Sequence, residues 1–159
     1  MSPRVLLADD HAVVREGIRD RLIADGLDVV GEAANGEDAL RLALALLPDV
    51  LVLDMEMPLL SGVDVARRLR DAGVPVRVLV LSAYDDDSYI AEVLASGAAG
   101  YLTKEESLNT IVAAVRGVAR GESGWLSRSV AARMMQLRTA PAVAASPTPR
   151  RAPRSRALS

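Results

Sequence analysis

The fold of this chain turns on PRVLLADDHAVV, residues 3–14, an apolar run that stops on two adjacent carboxylates. Val5 to Ala8 is long enough to form one strand buried on both faces of a sheet. Four similar runs follow: Leu27 to Gly31, Val50 to Leu53, Val76 to Leu81 and Ala99 to Leu102. Between them lie helical patterns, with Val14, Ile18 and Leu22 in the first and Ala39, Ala43 and Leu47 in the second. Val65, Ala66 and Leu69 mark the third, and Ile90, Val93 and Leu94 the fourth. The last helix reads Leu108, Ile111, Val112, Val115 and Ala119, spaced three and four apart as one buried face demands.

Five strands alternating with five helices predict β/α units around a parallel sheet. The expected fold is a doubly wound α/β domain of flavodoxin-like type, five parallel strands in the order 2-1-3-4-5. It would occupy residues 1–121. Pro48 is read as closing the second helix, Ser61-Gly62 as opening the third, and Gly73 and Pro75 as separating it from the fourth strand. Residues 122–137 form a short C-terminal extension with one amphipathic helix from Ser127 to Leu137. The segment 138–159, rich in Ala, Pro, Ser and Arg, has too little apolar periodicity to fold alone and is expected to be a flexible linker.

Composition narrows the function. With no cysteine there is no disulfide framework and no thiolate chemistry. No apolar stretch approaches the roughly 20 residues of a membrane span and the N-terminus carries no secretory pattern, so a cytoplasmic protein without membrane contact is expected. The net charge is −2, yet the last 22 residues hold five arginines and no acid, which leaves −7 on the first 137 residues. The body is acidic and the tail basic.

Ligands of open α/β sheets bind beyond the carboxyl ends of the strands, where strand order reverses. Here the first strand ends in Asp9-Asp10, the third in Asp54, the fourth in Ser82, and Lys104 follows the fifth. The second ends toward Glu32. Three carboxylates and one ammonium would share one cleft. Two carboxylates about 4 Å apart repel by roughly 4 kcal/mol at an effective dielectric of 20. Oxygen donors in an open cleft suit a hard divalent cation that keeps several waters, such as Mg2+. Lys104 is the only lysine beside eighteen arginines, and its ammonium can meet a phosphoryl oxygen as a point charge.

DDH at 9–11, DMEMP at 54–58, Ser82-Ala83 and YLTKE at 101–105 together resemble the receiver domain of two-component response regulators. The details DDHAVVREGI and GYLTKE are similar to its NarL/FixJ group, whose members carry a LuxR-type helix-turn-helix. The resemblance implies that Asp54 is the phosphoacceptor for a sensor histidine kinase. It implies that Asp10, Asp54 and the Glu56 backbone carbonyl bind Mg2+, with Asp9 acting through a metal-bound water. Lys104 and the Ser82 hydroxyl would contact the phosphoryl oxygens. Ser82 and Tyr101 would be the switch residues, Tyr101 turned inward in the active state and outward in the inactive one. It also implies a phosphoacceptor and not an enzyme, with at most self-phosphorylation from small donors and autodephosphorylation, and a homodimer formed on phosphorylation.

This chain departs from the family in placing Glu105, not proline, after the lysine, and in adding the acid Glu56 beside the site. His11 is read as a loop or helix-start residue and not a metal ligand, Asp85 to Asp87 as a helix cap, and Trp125 as packed on the domain surface. A haloacid-dehalogenase-type phosphatase would need a second aspartate where Glu56 stands, and a nucleotide-binding domain a glycine-rich loop in place of DDHAVV. No helix-turn-helix pattern follows residue 137, so DNA would be read only through a C-terminal domain absent from this chain, toward which the ending RALS points. A stand-alone receiver signalling through protein contacts is the alternative.

Overall fold

Each apolar run of the sequence becomes a strand, with both faces covered in all but the second, an edge strand whose residues are mostly half-buried. The computed structural model describes residues 2–83 and 87–139. The expected cap around Asp85 and the basic segment beyond Thr139 lie outside the described residues. Strands β1 (Arg4–Ala8), β2 (Asp28–Ala33), β3 (Val50–Asp54), β4 (Arg77–Ser82) and β5 (Gly100–Thr103) alternate with helices α1 (Ala12–Ala24), α2 (Gly36–Leu46), α3 (Gly62–Ala72), α4 (Asp87–Ala95) and α5 (Leu108–Ala119). All strand pairs are parallel, and β1 pairs with both β2 and β3, so the strand order reverses beside β1. The first five strands lie in the expected order 2-1-3-4-5.

The pleat divides the core in two. Val5, Leu7, Val50, Val52, Leu79 and Leu81 face α1 and α5, where Ile18, Leu22, Ile111 and Val115 meet them. Leu6, Ala8, Leu51, Leu53, Val78 and Val80 face the other layer, against Ala39, Ala43, Val65, Leu69, Ile90 and Val93. β3 is central and buries all five of its residues, including Asp54. Helix starts are fixed by side-chain caps: Asn35 accepts from the Asp38 N–H at 2.8 Å, Ser61 from Asp64 at 3.2 Å and Ser107 from Thr110 at 3.2 Å.

The sheet has a sixth strand that five-fold alternation does not announce. β6 (Trp125–Leu126) pairs parallel with Gly100 and Tyr101, and α6 (Arg128–Thr139) follows it. Two residues are too few to carry a period, which is why the sequence shows a helical extension and no strand there. Trp125 is half-buried against the α5-side core, and its Nε1–H donates to Glu122 at 3.1 Å. Ser127 then donates its N–H to the Tyr101 carbonyl at 3.1 Å and accepts the Thr103 N–H on Oγ at 2.8 Å. α6 lays a fully buried Val130 into the cluster that holds Tyr101, with Leu126 and Met134 packed against it. The extension is therefore part of the domain.

That docking depends on Gly100. A Cβ there would stand 2.5 Å from the Trp125 carbonyl oxygen and 2.8 Å from Trp125 Cβ, far inside van der Waals contact with backbone. Gly100→Ala should therefore dislodge β6 and destabilise the domain by about 1–3 kcal/mol, the usual cost of overpacking. Trp125, the sole tryptophan, reports on it: its emission should move toward that of a solvated indole. An unshifted spectrum and unchanged melting temperature would show that the strand is not held by close approach to Gly100.

Candidate metal and phosphoacceptor site

The carboxyl ends of β1, β3 and β5 deliver the charged residues to one place. Asp9 follows β1, Asp54 ends β3 and Lys104 follows β5. Lys104 Nζ lies 3.0 Å from Asp9 Oδ2 and 3.2 Å from Asp54 Oδ2. Both carboxylates are deeply buried, at 5% and 3% exposure, so this ammonium balances charge that water cannot. Its N–H donates to the Ser82 carbonyl at 2.8 Å, which ties the lysine backbone to the end of β4. Asp10 stands at the rim with its side chain about one-third exposed, at 35%.

The loops are built around the same carboxylates. Asp9 Oδ1 accepts the His11 N–H at 2.8 Å, and Asp54 Oδ1 accepts the Glu56 N–H at 3.2 Å. Each acid thus folds its own following turn, and Glu56 stands next to Asp54 as expected. The start of α3 passes directly over this turn, where a Cβ on Gly62 would come within 2.6 Å of the Asp54 carbonyl oxygen. The Gly62 N–H donates to the Met55 carbonyl at 3.1 Å. Ser82 is fully buried at the end of β4 and Tyr101 is fully buried in β5, inward and facing the α4 and α6 side. Among the described residues no peptide bond is cis, the Lys104–Glu105 bond included.

Two residues enter the site that sequence reasoning left out. His11 is the N-cap residue of α1, as expected, but its ring makes no capping bond. Instead Nδ1 turns into the cluster, 3.1 Å from Asp9 Oδ1, 3.2 Å from Asp10 Oδ1 and 3.9 Å from Asp54 Oδ2. Arg15, one turn into α1, donates from Nη1 to the Asp9 carbonyl at 2.6 Å and from Nε to Glu32 at 3.0 Å. Glu32 is thereby drawn away from the cleft. The signal available for both was spacing alone, since Arg15 stands four residues beyond His11 at the start of one helix.

The donor set fits a divalent cation. Asp9, Asp10, His11 and Asp54 each offer one atom within 4.8 Å of the others. Asp9 Oδ2 and Asp54 Oδ2 are buried without a hydrogen bond, held by Lys104 through charge and not through a directed N–H. Three carboxylates against one ammonium leave net negative charge and free lone pairs. That combination suits a hard cation.

Comparison with known proteins agrees with this geometry. Residues 5–116 match the response regulator receiver domain family, and the chain belongs to it. It is 41% identical over 121 residues to the response regulator GacA of Pseudomonas aeruginosa, covering 75% of this chain and 56% of GacA. Its structure superposes on the receiver domain of the response regulator NarL from Mycobacterium tuberculosis with a TM-score of 0.74 at 42% identity, covering 76% of this chain and 98% of that one. A LuxR-family two-component response regulator from an Aurantimonas species gives a TM-score of 0.79 at 31% identity, over 87% of this chain and 99% of the other. The chain spans little more than half of its full-length relative GacA. The family match ends before β6 and α6. It also removes the phosphatase and nucleotide-binding alternatives.

Burial lifts the Asp54 carboxyl from 3.8 to about 6, helped by the neighbouring Asp9 charge and opposed by the Glu56 N–H and Lys104. Burial alone would lower the Lys104 ammonium, but Asp9 and Asp54 outweigh it and raise it. A raised acid binds its proton more tightly folded than unfolded, so stability is fully present below the ordinary carboxylate value and falls as pH rises toward 6. In metal-free buffer Asp54→Asn should therefore be the more stable protein at neutral pH. Ionising an acid that late costs about 3 kcal/mol at most, and relaxation around the buried charge brings this to about 1–2 kcal/mol. Denaturant melts across pH check it. The advantage should disappear near pH 4, and a variant less stable than wild type at pH 7.5 would contradict the account.

Proposed function

We propose that the chain is the phosphoacceptor of a histidine-to-aspartate relay. A carboxylate oxygen of Asp54 attacks the phosphorus of a phosphohistidine on a sensor kinase. The O–P bond forms as the P–N bond breaks, and the imidazole leaves and takes up a proton. The observation that carries this reading is Asp54 itself, buried at the end of the central strand and 3.2 Å from the Lys104 ammonium. Such a group is poorly stabilised as a free anion and is aligned by its own turn, as an in-line nucleophile needs.

Charge and position do the remaining work. Asp10, Asp54 and the Glu56 carbonyl would hold Mg2+, with Asp9 supporting it through a water, and the ion would supply positive charge at the transferring phosphoryl group. Lys104 takes one phosphoryl oxygen, and the Ser82 hydroxyl a second. Movement of Ser82 biases Tyr101 and the surface of α4 and β5, from which the output is read. In this chain α6 lies on that surface, so the extension is placed to feel the change.

The family is one of signalling domains, and the relatives at this similarity include transcription regulators such as DegU of Brevibacillus brevis, 40% identical over 119 residues. The full protein then acts in transcription, forming a homodimer on phosphorylation and contacting DNA through a part other than residues 1–137. A cytoplasmic location follows from the kinase partner. Among the described residues no helix is long and apolar enough to cross a membrane.

Incubation with acetyl phosphate and Mg2+ tests the assignment. One phosphoryl group should be added per chain, and neither Asp54→Asn nor wild type in EDTA should gain any. Undiminished labelling of Asp54→Asn would place the acceptor elsewhere.

A further inference from the structure

His11 is the residue whose placement the phosphoacceptor reading leaves unexplained. Its side chain is 62% exposed, yet Nδ1 points inward to the cluster and not to solvent. The position is an N-cap, where Ser, Thr, Asp or Asn would accept a helix N–H, and His11 accepts none with its ring. The ring has another use.

That use is visible in what surrounds a cation already present. The Lys104 ammonium has three near neighbours: Asp9 Oδ2 at 3.0 Å, Asp54 Oδ2 at 3.2 Å and His11 Nδ1 at 3.2 Å. Nδ1 thus lies between that ammonium and the Asp9 and Asp10 oxygens, and an ion bound there would take its lone pair. The spacing is compatible with a metal shell as well. Ligands about 2.1 Å from an octahedral ion lie about 3.0 Å apart when adjacent and about 4.2 Å apart when opposite. Nδ1 stands 3.2 Å from an Asp10 oxygen and 3.9 Å from an Asp54 oxygen, the two carboxylates read as direct ligands.

From this we infer that His11 is a nitrogen ligand that sets the metal preference of the cleft. An all-oxygen site suits Mg2+, whereas an imidazole adds affinity for first-row transition ions and little for Mg2+. The cleft therefore favours Mn2+ and its heavier neighbours over Mg2+ more than carboxylates alone would. The inference rests on the reading of this cleft as a divalent-cation site, and its test separates the two.

His11 is the only histidine of the chain, so tag-free protein gives an unambiguous spectroscopic answer. With Mn2+ as probe, pulsed electron paramagnetic resonance should show coupling to one directly bound imidazole nitrogen. The coupling should change to the nitrogen-15 pattern when the protein is made with labelled histidine, which needs no variant. His11→Gln should lose the coupling and lower the preference for Mn2+ over Mg2+ by roughly tenfold, the lower end of what a lost supporting group costs a metal site. Bound Mn2+ without nitrogen coupling in wild type would overturn the role of His11 and leave the metal site standing. Failure to bind Mn2+ at all would overturn both.

Discussion

The cleft is organised by one ammonium among buried carboxylates. Asp9 and Asp54 sit on neighbouring parallel strands with almost no water to solvate them. Two such charges a few ångströms apart repel by about 4 kcal/mol at moderate dielectric, a large fraction of a small domain's stability. Lys104 reaches both at 3.0 and 3.2 Å and makes the arrangement tolerable. It does not make it neutral. The leftover negative charge keeps the cleft receptive to a cation, and a bound cation would make an anionic phosphoryl donor acceptable. Stability has been given up locally to hold a reactive group in place, as functional sites commonly require.

The same balance links distant parts of the chain. The three residues come from the ends of β1, β3 and β5, so one charge contact reports on the register of the whole sheet. In the proposed switch, Ser82 and Tyr101 would continue the path across β4 and β5 toward α4. There the chain adds its own β6 and α6, with Ser127 bonded to both Tyr101 and Thr103 and Val130 sealed against the cluster around Tyr101. The surface through which such a domain would signal is thus partly covered by the protein's own extension. An output read from that surface would have to carry the extension with it or displace it.

The five main strands and the three carboxylates were legible because both follow from rules that act along the chain. A strand buried on two faces must be a short apolar run, and ligand groups of an open α/β sheet must come at its carboxyl ends. What escaped sequence reading depends on side-chain direction or on pairing between remote segments. His11 was placed correctly as a helix start, but nothing in the order of residues says which way its ring turns. β6 has two residues and exists because Gly100 leaves room for Trp125 twenty-five positions later. These are properties of the folded assembly.

The most direct measurement is the chemical location of the phosphoryl group after exposure to a small acyl phosphate donor and Mg2+. Borohydride reduces an aspartyl phosphate to homoserine, and peptide mass spectrometry then reads the position. The account predicts homoserine at position 54 and nowhere else. Reduction at position 9 or 10 with 54 intact, or a borohydride-resistant phosphoester on Ser82, would contradict it.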